Sequence, residues 1–523
     1  MKKFTLITLT LLSAWGLLAQ PNIEWKKSLG GTNNDFARSI QQTSDNGYII
    51  AGSSKSTNGD VSGNHGEQDY WIVKLNTDGD IEWEKSLGGS DNDWATAIQQ
   101  TSDKGYIVAG YTFSLDGEVS GKHGDNNTYS DYWIVKLNTD GDIEWEKCLG
   151  GSDHDQAFSV QQTSDGNYIV AGWTNSNDGD VVGNHAAIDY WIVKLNTSGD
   201  IEWKKCFGGE YSEKAYSIQQ TTDKGYIIAG STRSTTGDIS ENNHESFVNW
   251  IVKLNTDGDI EWEKCLGGSN DENAYSIQQT TDGGYIVAGT TESNDGDVSE
   301  NNGNTDYWIV KLNTSGAIEW EKSLGGDSYE EVYSIQQTED GNYIIAGSSK
   351  STNDDVSGNH GNFDYWIVKL NTSGDLLWQK CLGGSDKENA YSIQQTTDKG
   401  YIVVGNADSW DDDVSGNNGM ADYWVVKLSE DDASIKTINT VSEDLSIYPN
   451  PMNNYTEIEI PYNRDTKEPI TVKIIDMSGK TVKQFNNVTQ KKLRIQRENL
   501  ESGIYQIIVS IDELIYTGKL TIK

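Results

Sequence analysis

The residues in this chain that could do chemistry lie mostly in loops. Long polar connections carry a recurring phrase, as in Asn58–Gly66 (NGDVSGNHG), Asp178–His185 (DGDVVGNH) and Asp354–Gly361 (DDVSGNHG). Shorter acidic loops read GGSDND over Gly88–Asp93 and GGSNDEN over Gly267–Asn273. Side chains on loops held by a rigid scaffold are often binding residues, although Asp, Asn and Gly also satisfy their own turns. Three aromatics break the local pattern: Trp94, Trp173 and Trp410. Trp94 directly follows the loop bearing Asp91 and Asp93, and Trp410 sits in Ser409-Trp410-Asp411-Asp412-Asp413. An aromatic face beside acidic and amide groups suits a sugar ring. Trp94, Asp91, Asp93, His65, Trp410 and Asp411 are therefore the candidate ligand-binding residues.

Other chemistries find less support. Asp78-Gly79-Asp80 and Asp178-Gly179-Asp180 resemble pieces of a calcium loop, but neither continues to the closing bidentate Glu. A structural calcium is thus a secondary expectation, and no other cofactor is expected. His65, His123, His185 and His360 share one loop slot in different repeats, without metal-ligand spacing. No Gly-x-Ser-x-Gly elbow, phosphate loop or Cys/His zinc set occurs. Arg38 and Arg233 break the repeat, but neither has an evident catalytic companion. Catalysis gathers unlike residues at one point, whereas near-identical repeats offer symmetry, so no catalytic residue is expected.

The elements that must position these residues are legible. Asp69–Gly89 reads DYWIVKLNTDGDIEWEKSLGG, and close copies recur. Asn76-Thr77-Asp78-Gly79 is the sequence of a type I turn followed by glycine in the left-handed region, which makes a hairpin. Its register is expected to set Leu75 opposite Ile81, Lys74 opposite Glu82 and Val73 opposite Trp83. Trp71, Val73, Leu75, Ile81, Trp83 and Leu87 would then share one face. The tryptophan of this IEW motif recurs from Trp25 to Trp378, and that of DYW from Trp71 to Trp424, seven of each at spacings of 58 to 62 residues. Each repeat holds four strand-like runs, here a, b, c and d; in one they begin with Ala274–Gln279 (AYSIQQ) and Tyr285–Gly289 (YIVAG).

Seven such units predict an all-β fold: a seven-bladed β-propeller, residues 20–428, followed by a small β-sandwich domain. The chain opens with a lone d-type strand, Ile23–Leu29, and its last repeat lacks one. Closure by the N-terminal strand follows, with Lys427 expected opposite Glu24 and Val426 opposite Trp25. In this arrangement the b–c and d–a loops share one face, acidic and Asn-rich. The paired glutamines of each a strand, such as Gln99-Gln100, would hydrogen-bond the inner strand edges or line a polar channel.

Composition narrows the function classes. The 523 residues carry 80 Asp and Glu against 40 Lys and Arg, a formal charge of −40. Nucleic acid and anionic membrane surfaces are excluded as partners, since both need a basic footprint. Residues 1–19 pair Lys2 and Lys3 with an apolar run and read as a signal peptide; no transmembrane segment is expected. Cys148, Cys206, Cys265 and Cys381 fill one slot of separate repeats, so they are expected as thiols rather than disulfides. A polar linker, 429–444, leads to a domain at 445–523 with 11 basic and 9 acidic residues.

Two family resemblances follow. Residues 23–428, through Leu-Gly-Gly-Ser, Gly-Tyr-Ile-Val-Ala-Gly and Asp-Tyr-Trp-Ile-Val-Lys-Leu, resemble the bacterial seven-bladed β-propeller repeat family. Residues 445–523 resemble the type A sorting domain of the type IX secretion system of Bacteroidetes. The matching elements are Tyr448-Pro449-Asn450-Pro451, Val472–Lys480 with Gly479, Leu500–Tyr505 with Gly503 and Tyr505, and the terminal Lys519–Lys523. That resemblance implies passage through the type IX secretion machinery to the cell surface or medium. The resulting expectation is a monomeric, non-enzymatic binding or adhesion protein, with a glycan or protein ligand at the acidic loop face. A polysaccharide lyase or hydrolase, or a structural spacer, is the alternative.

Overall fold

The computed structural model describes residues 20–523 apart from 125–126, 186, 241, 243, 245, 432–438, 441–444, 461–469, 476–480, 489, 498–499, 501 and 512–513. The signal peptide, most of the linker and Gly479 lie outside the described residues. Among the described residues all regular structure is β-strand, and no helix is long and apolar enough to cross a membrane. The chain divides into two compact units, one running to Asp431 and one from Asp432 to Lys523.

The first unit repeats a four-stranded antiparallel sheet. The first sheet runs Asp35–Gln42, Tyr48–Ser54, Asp69–Leu75 and Ile81–Leu87 in chain order, and five more follow the same a-b-c-d plan. A further sheet takes Glu388–Gln395, Tyr401–Ala407 and Asp422–Leu428 and adds Ile23–Leu29 beside the last of these. The unit extends past Leu428 to Asp431, whose buried carboxylate accepts hydrogen bonds from Lys369 Nζ at 2.5 Å and Tyr401 OH at 2.7 Å.

The hairpin turn has the expected chemistry: Gly79 has a φ of 79°, and Asn76 Oδ1 accepts from the Asp78 and Asp80 N–H groups, both at 2.9 Å. The expected register holds only at Leu75 and Ile81. A bulge at Glu82 sets Lys74 opposite Trp83, Val73 opposite Glu84 and Tyr70 opposite Leu87. Trp83 and Leu87 therefore join Tyr70 and Ile72, not Trp71 and Val73. The same bulge sets Trp25, not Glu24, opposite Lys427, and Lys26 opposite Val426. Charge pairing survives because Lys74 Nζ still reaches Glu82 at 2.9 Å, and Lys427 Nζ reaches Glu24 at 3.2 Å.

The c strands are buried on both faces, so the repeat has no single apolar side. Trp71, Val73 and Leu75 pack with Leu29, Val404 and Val425, while Tyr70 and Ile72 pack with Val108, Trp133 and Val135. The hydrophobic cores thus lie between neighbouring sheets. Six of the seven are pinned by a tyrosine, as where Tyr70 OH donates to the Trp133 carbonyl and Tyr423 OH to the Trp71 carbonyl, both at 2.9 Å; Asn249 takes the tyrosine position in the remaining one.

The glutamine pairs satisfy the inner edges. Gln41 Oε1 accepts from the Gln100 N–H of the next sheet at 2.6 Å, and Gln394 Oε1 accepts from the Gln42 N–H at 2.6 Å. The second glutamine reaches the other way: Gln100 Oε1 accepts from the Ser44 N–H, and Gln42 Oε1 from the Thr397 N–H, both at 2.8 Å. Both patterns link the sheet that starts at Asp35 with the one that starts at Glu388. Buried polar groups are paired in this way because an unmade bond there costs about 1–3 kcal/mol.

The second unit holds a five-stranded and a three-stranded sheet around a core that includes Ile458, Val472, Ile474, Ile507 and Val509. It is not wholly antiparallel, because Asn439–Thr440 runs parallel to Leu514–Ile522. A strand at Thr481–Val488 pairs with Ile470–Ile475; its apolar residues are too sparse to give a period. Asn450 ties the Pro-Asn-Pro segment to the chain end: its Nδ2 donates to the Lys519 carbonyl at 2.6 Å and its Oδ1 accepts from the Thr521 N–H at 2.9 Å. Arg497 adds a bond to the Lys523 carbonyl at 2.6 Å. Tyr448 is 79% exposed, whereas Tyr505 is buried and Gly503 starts the strand Gly503–Ile511.

Candidate functional site: an aromatic cavity among the a strands

Each a strand carries a bulge at its fourth residue. In the second sheet Ala95 opposes Gly110 and Ala97 opposes Ala109, leaving Thr96 as the extra residue. Gly110 permits this, since a Cβ there would lie 2.0 Å from the Trp94 carbonyl oxygen. A bulge re-aims a side chain out of the regular alternation. Here the fourth residue is turned toward the space enclosed by the a strands. Arg38, Thr96, Phe158, Tyr216, Tyr275, Tyr333 and Tyr391 occupy the slot in order.

These residues, with Trp94 and Tyr111, line a cavity of about 410 Å³. The aromatic rings form a continuous belt. Phe158 and Tyr216 lie 5.4 Å apart, Tyr216 and Tyr275 5.0 Å, Tyr275 and Tyr333 5.4 Å, and Tyr333 and Tyr391 4.8 Å between centroids. Such offsets and tilts suit the ring quadrupoles. Arg38 ends the belt, its guanidinium carbon 4.0 Å from the Tyr391 centroid. Further along the strands, Ile40 and Gln41 with their counterparts line a narrower space of about 260 Å³.

Four phenols of the wall, Tyr111, Tyr216, Tyr275 and Tyr333, are held in the neutral form. Burial, with a neighbouring Glu331, pushes Tyr275 up to about 12. Burial beside other tyrosines raises Tyr216 and Tyr333 further, and burial raises Tyr111 while Arg38 opposes it. The wall can therefore stack against a ring without negative charge on these phenols, although the Tyr333 hydroxyl is already given to Glu331 Oε2 at 2.9 Å.

Of the residues expected from the sequence, Trp94 lies in this wall, stacked on Phe36 at 6.1 Å with an interplanar angle of 12°. Trp410 is 62% exposed and lies outside it. The others serve their loops. Asp93 is fully buried and accepts from the Gly89 N–H at 2.8 Å and the Ser114 hydroxyl at 2.9 Å. Asp91 accepts from Asn127 Nδ2 at 2.8 Å. His65 pairs through Nδ1 with Asp69 at 2.8 Å, and Asp411 accepts from the Ser385 N–H at 2.9 Å. Trp173 is buried beneath Lys214. Among the described residues no three His, Cys, Asp or Glu side chains gather as a metal requires, and none of the four cysteines forms a disulfide.

The loop carboxylates have a consequence for stability. Burial, reinforced by a facing carboxylate, pushes Asp93, Asp155, Asp306 and Asp422 up to about 7. Their folded values exceed the unfolded one, so they contribute stability that is full below about pH 4 and lost as pH rises through 7. At the opposite turns burial works against ionisation, but Thr43, the Gly47 N–H and Lys74 hold Asp45 down to about 2. Asp282 is held at about 2 by Thr280, the Gly284 N–H and Lys311, again against burial. That contribution is present above about pH 4 and lost as pH falls toward 2. The melting temperature should therefore peak between about pH 4 and 6 and fall by roughly 5 °C or more by pH 8. Calorimetry across this range checks it; a curve that is flat or still rising to pH 8 would contradict the assignment.

Comparison with known proteins adds the address. Residues 446–523 match the family model described as a secretion system C-terminal sorting domain. The protein is accordingly exported, to the outer cell surface or the medium, and its sorting domain implies contact with the type IX secretion machinery. The chain is 26% identical over 215 residues to the regulatory protein FlaEY of Caulobacter vibrioides, a match covering 38% of this chain and 22% of that protein. The chain thus spans about a fifth of that relative's length. Solved structures similar to the chain include a fungal alcohol oxidase of the AA5 family in complex with copper, at 11% identity and a TM-score of 0.38, covering 96% of this chain and 99% of that one. A puromycin hydrolase is similar at 12% identity and a TM-score of 0.43, covering 84% and 61%. At these scores neither carries an argument about this chain.

Proposed function

We propose that the seven sheets are blades of a β-propeller, closed where Ile23–Leu29 joins the last blade. We further propose that the protein is an exported, non-enzymatic binding protein whose aromatic cavity takes a glycan. The observation that carries this is the belt of bulge residues: five of the seven slots hold Phe or Tyr, and Trp94 flanks them. Stacked rings with neutral hydroxyl donors suit the C–H faces and hydroxyls of a sugar. A volume of about 410 Å³ falls within the roughly 300–1,000 Å³ of small-ligand sites. The reading moves the ligand from the acidic loop face to the cavity beside it. It favours binding over hydrolysis because glycoside cleavage usually needs two carboxyl groups flanking the bond, and the side chains that line the cavity are aromatic rings, one guanidinium, Ala95 and Thr96.

A panel of soluble oligosaccharides titrated against the purified protein tests this. Saturable binding with the oligosaccharides recovered intact is the expected result. Release of reducing ends or unsaturated products would make the protein a hydrolase or lyase, and no binding across the panel would remove the glycan reading.

A further inference from the structure

Two cations on the a strands, Arg38 and Lys214, rest on aromatic rings rather than on carboxylates. Arg38 fills a slot taken elsewhere by Thr, Phe or Tyr, so the packing of the repeat does not demand it. Its contact is the Tyr391 ring, and it has no hydrogen-bond or ion-pair partner among the described residues. Lys214 occupies, in the fourth sheet, the position that Trp94 holds in the second. Its ammonium lies 5.4 Å from the Trp173 centroid, likewise without a carboxylate, and burial lowers its pKa. By contrast the c-strand lysines Lys74, Lys136, Lys253, Lys311 and Lys427 each hold two carboxylates. Lys350 and Lys387 likewise rest on an aromatic ring, that of Phe363, but of these cations it is Arg38 that lines the cavity.

Aromatic faces hold a guanidinium without consuming its N–H donors. Arg38 therefore presents a planar fork toward the cavity, the geometry that pairs with a carboxylate through two parallel hydrogen bonds. Resting on the glycan reading above, we infer that the cavity selects an acidic sugar, a uronate whose carboxylate meets Arg38 while its ring stacks on the tyrosine belt. Lys214, outside the cavity lining, adds a second positive charge on the a strand of the fourth sheet. The local charge offsets the repulsion that an anion meets on approaching a chain of net charge −40.

The test compares trigalacturonate with the same trisaccharide after reduction of its carboxyl groups. A charge-assisted pair should favour the acid form by about tenfold or more, and the preference should shrink as salt rises. Arg38→Thr introduces the residue that the second repeat already carries at this slot, so the fold should tolerate it. It should erase most of the preference, the acid form losing at least about tenfold more affinity than the reduced form. Arg38→Lys should restore part of it, and Lys214→Gln should reduce it less. Equal affinity of the wild type for both forms, or a preference untouched by Arg38→Thr, would overturn the inference and leave the cavity reading standing. Failure of both forms to bind would overturn the inference and count against the cavity reading too.

Discussion

Deletion of residues 21–31 is expected to lower the melting temperature by roughly 5–10 °C. The segment is short, yet its loss exposes a long edge. Ile23–Leu29 makes six registered pairs with Asp422–Leu428, and the Ser429 N–H donates to the Asn22 carbonyl at 2.9 Å. Leu29 is buried with Val73, Val404 and Val425, so it joins residues from both ends of the repeat array. Trp25 packs edge-on against Tyr48 at 5.7 Å and beneath Gly79. Each fully buried apolar side chain contributes about 1.5–3 kcal/mol, and Lys427 would lose one of its two carboxylates. Thermal melting followed by circular dichroism checks the outcome. A melting curve identical to that of the intact protein would mean that Ile23–Leu29 does not close the ring.

Repetition made the scaffold readable. Seven copies of two tryptophan motifs, four strand-like runs per copy and a turn with glycine at Gly79 were enough to place the strands of the first unit. Register was harder. The sequence DGDIEWEK contains no mark of the bulge at Glu82, because Ile, Trp and Leu alternate as though the strand were regular. The same difficulty hid the cavity. In Ala274–Gln279 strict alternation would send Tyr275 toward a neighbouring sheet, whereas the bulge turns it inward. A signal was nonetheless present. The slot before Ser-Ile-Gln-Gln varies from Arg38 to Tyr391 while the glutamines stay fixed, and variation inside a constant frame marks positions that the fold does not dictate. Trp94 stands out in the sequence as an aromatic that breaks the pattern, and it lines the cavity. Asp93 and His65 hold bonds within their own loops, and in sequence a carboxylate that clamps its loop and one that meets a ligand look alike.

Trp94→Ala and Tyr275→Ala should each weaken glycan binding by roughly ten- to thirtyfold, the cost of removing a central aromatic contact of about 1.4–2 kcal/mol. Trp410→Ala and Asp411→Ala alter the exposed loop beside the last sheet and should leave affinity within about twofold, as expected of residues outside the contact centre. Melting temperatures of all four variants separate lost binding from lost fold. Affinity measured by titration calorimetry for this set, with the oligosaccharide that binds the intact protein best, tests the central claim most directly. Loss confined to Trp94→Ala and Tyr275→Ala is the result that the cavity requires. Loss on Trp410→Ala with full binding by Tyr275→Ala would move the site to the acidic loop face and contradict it.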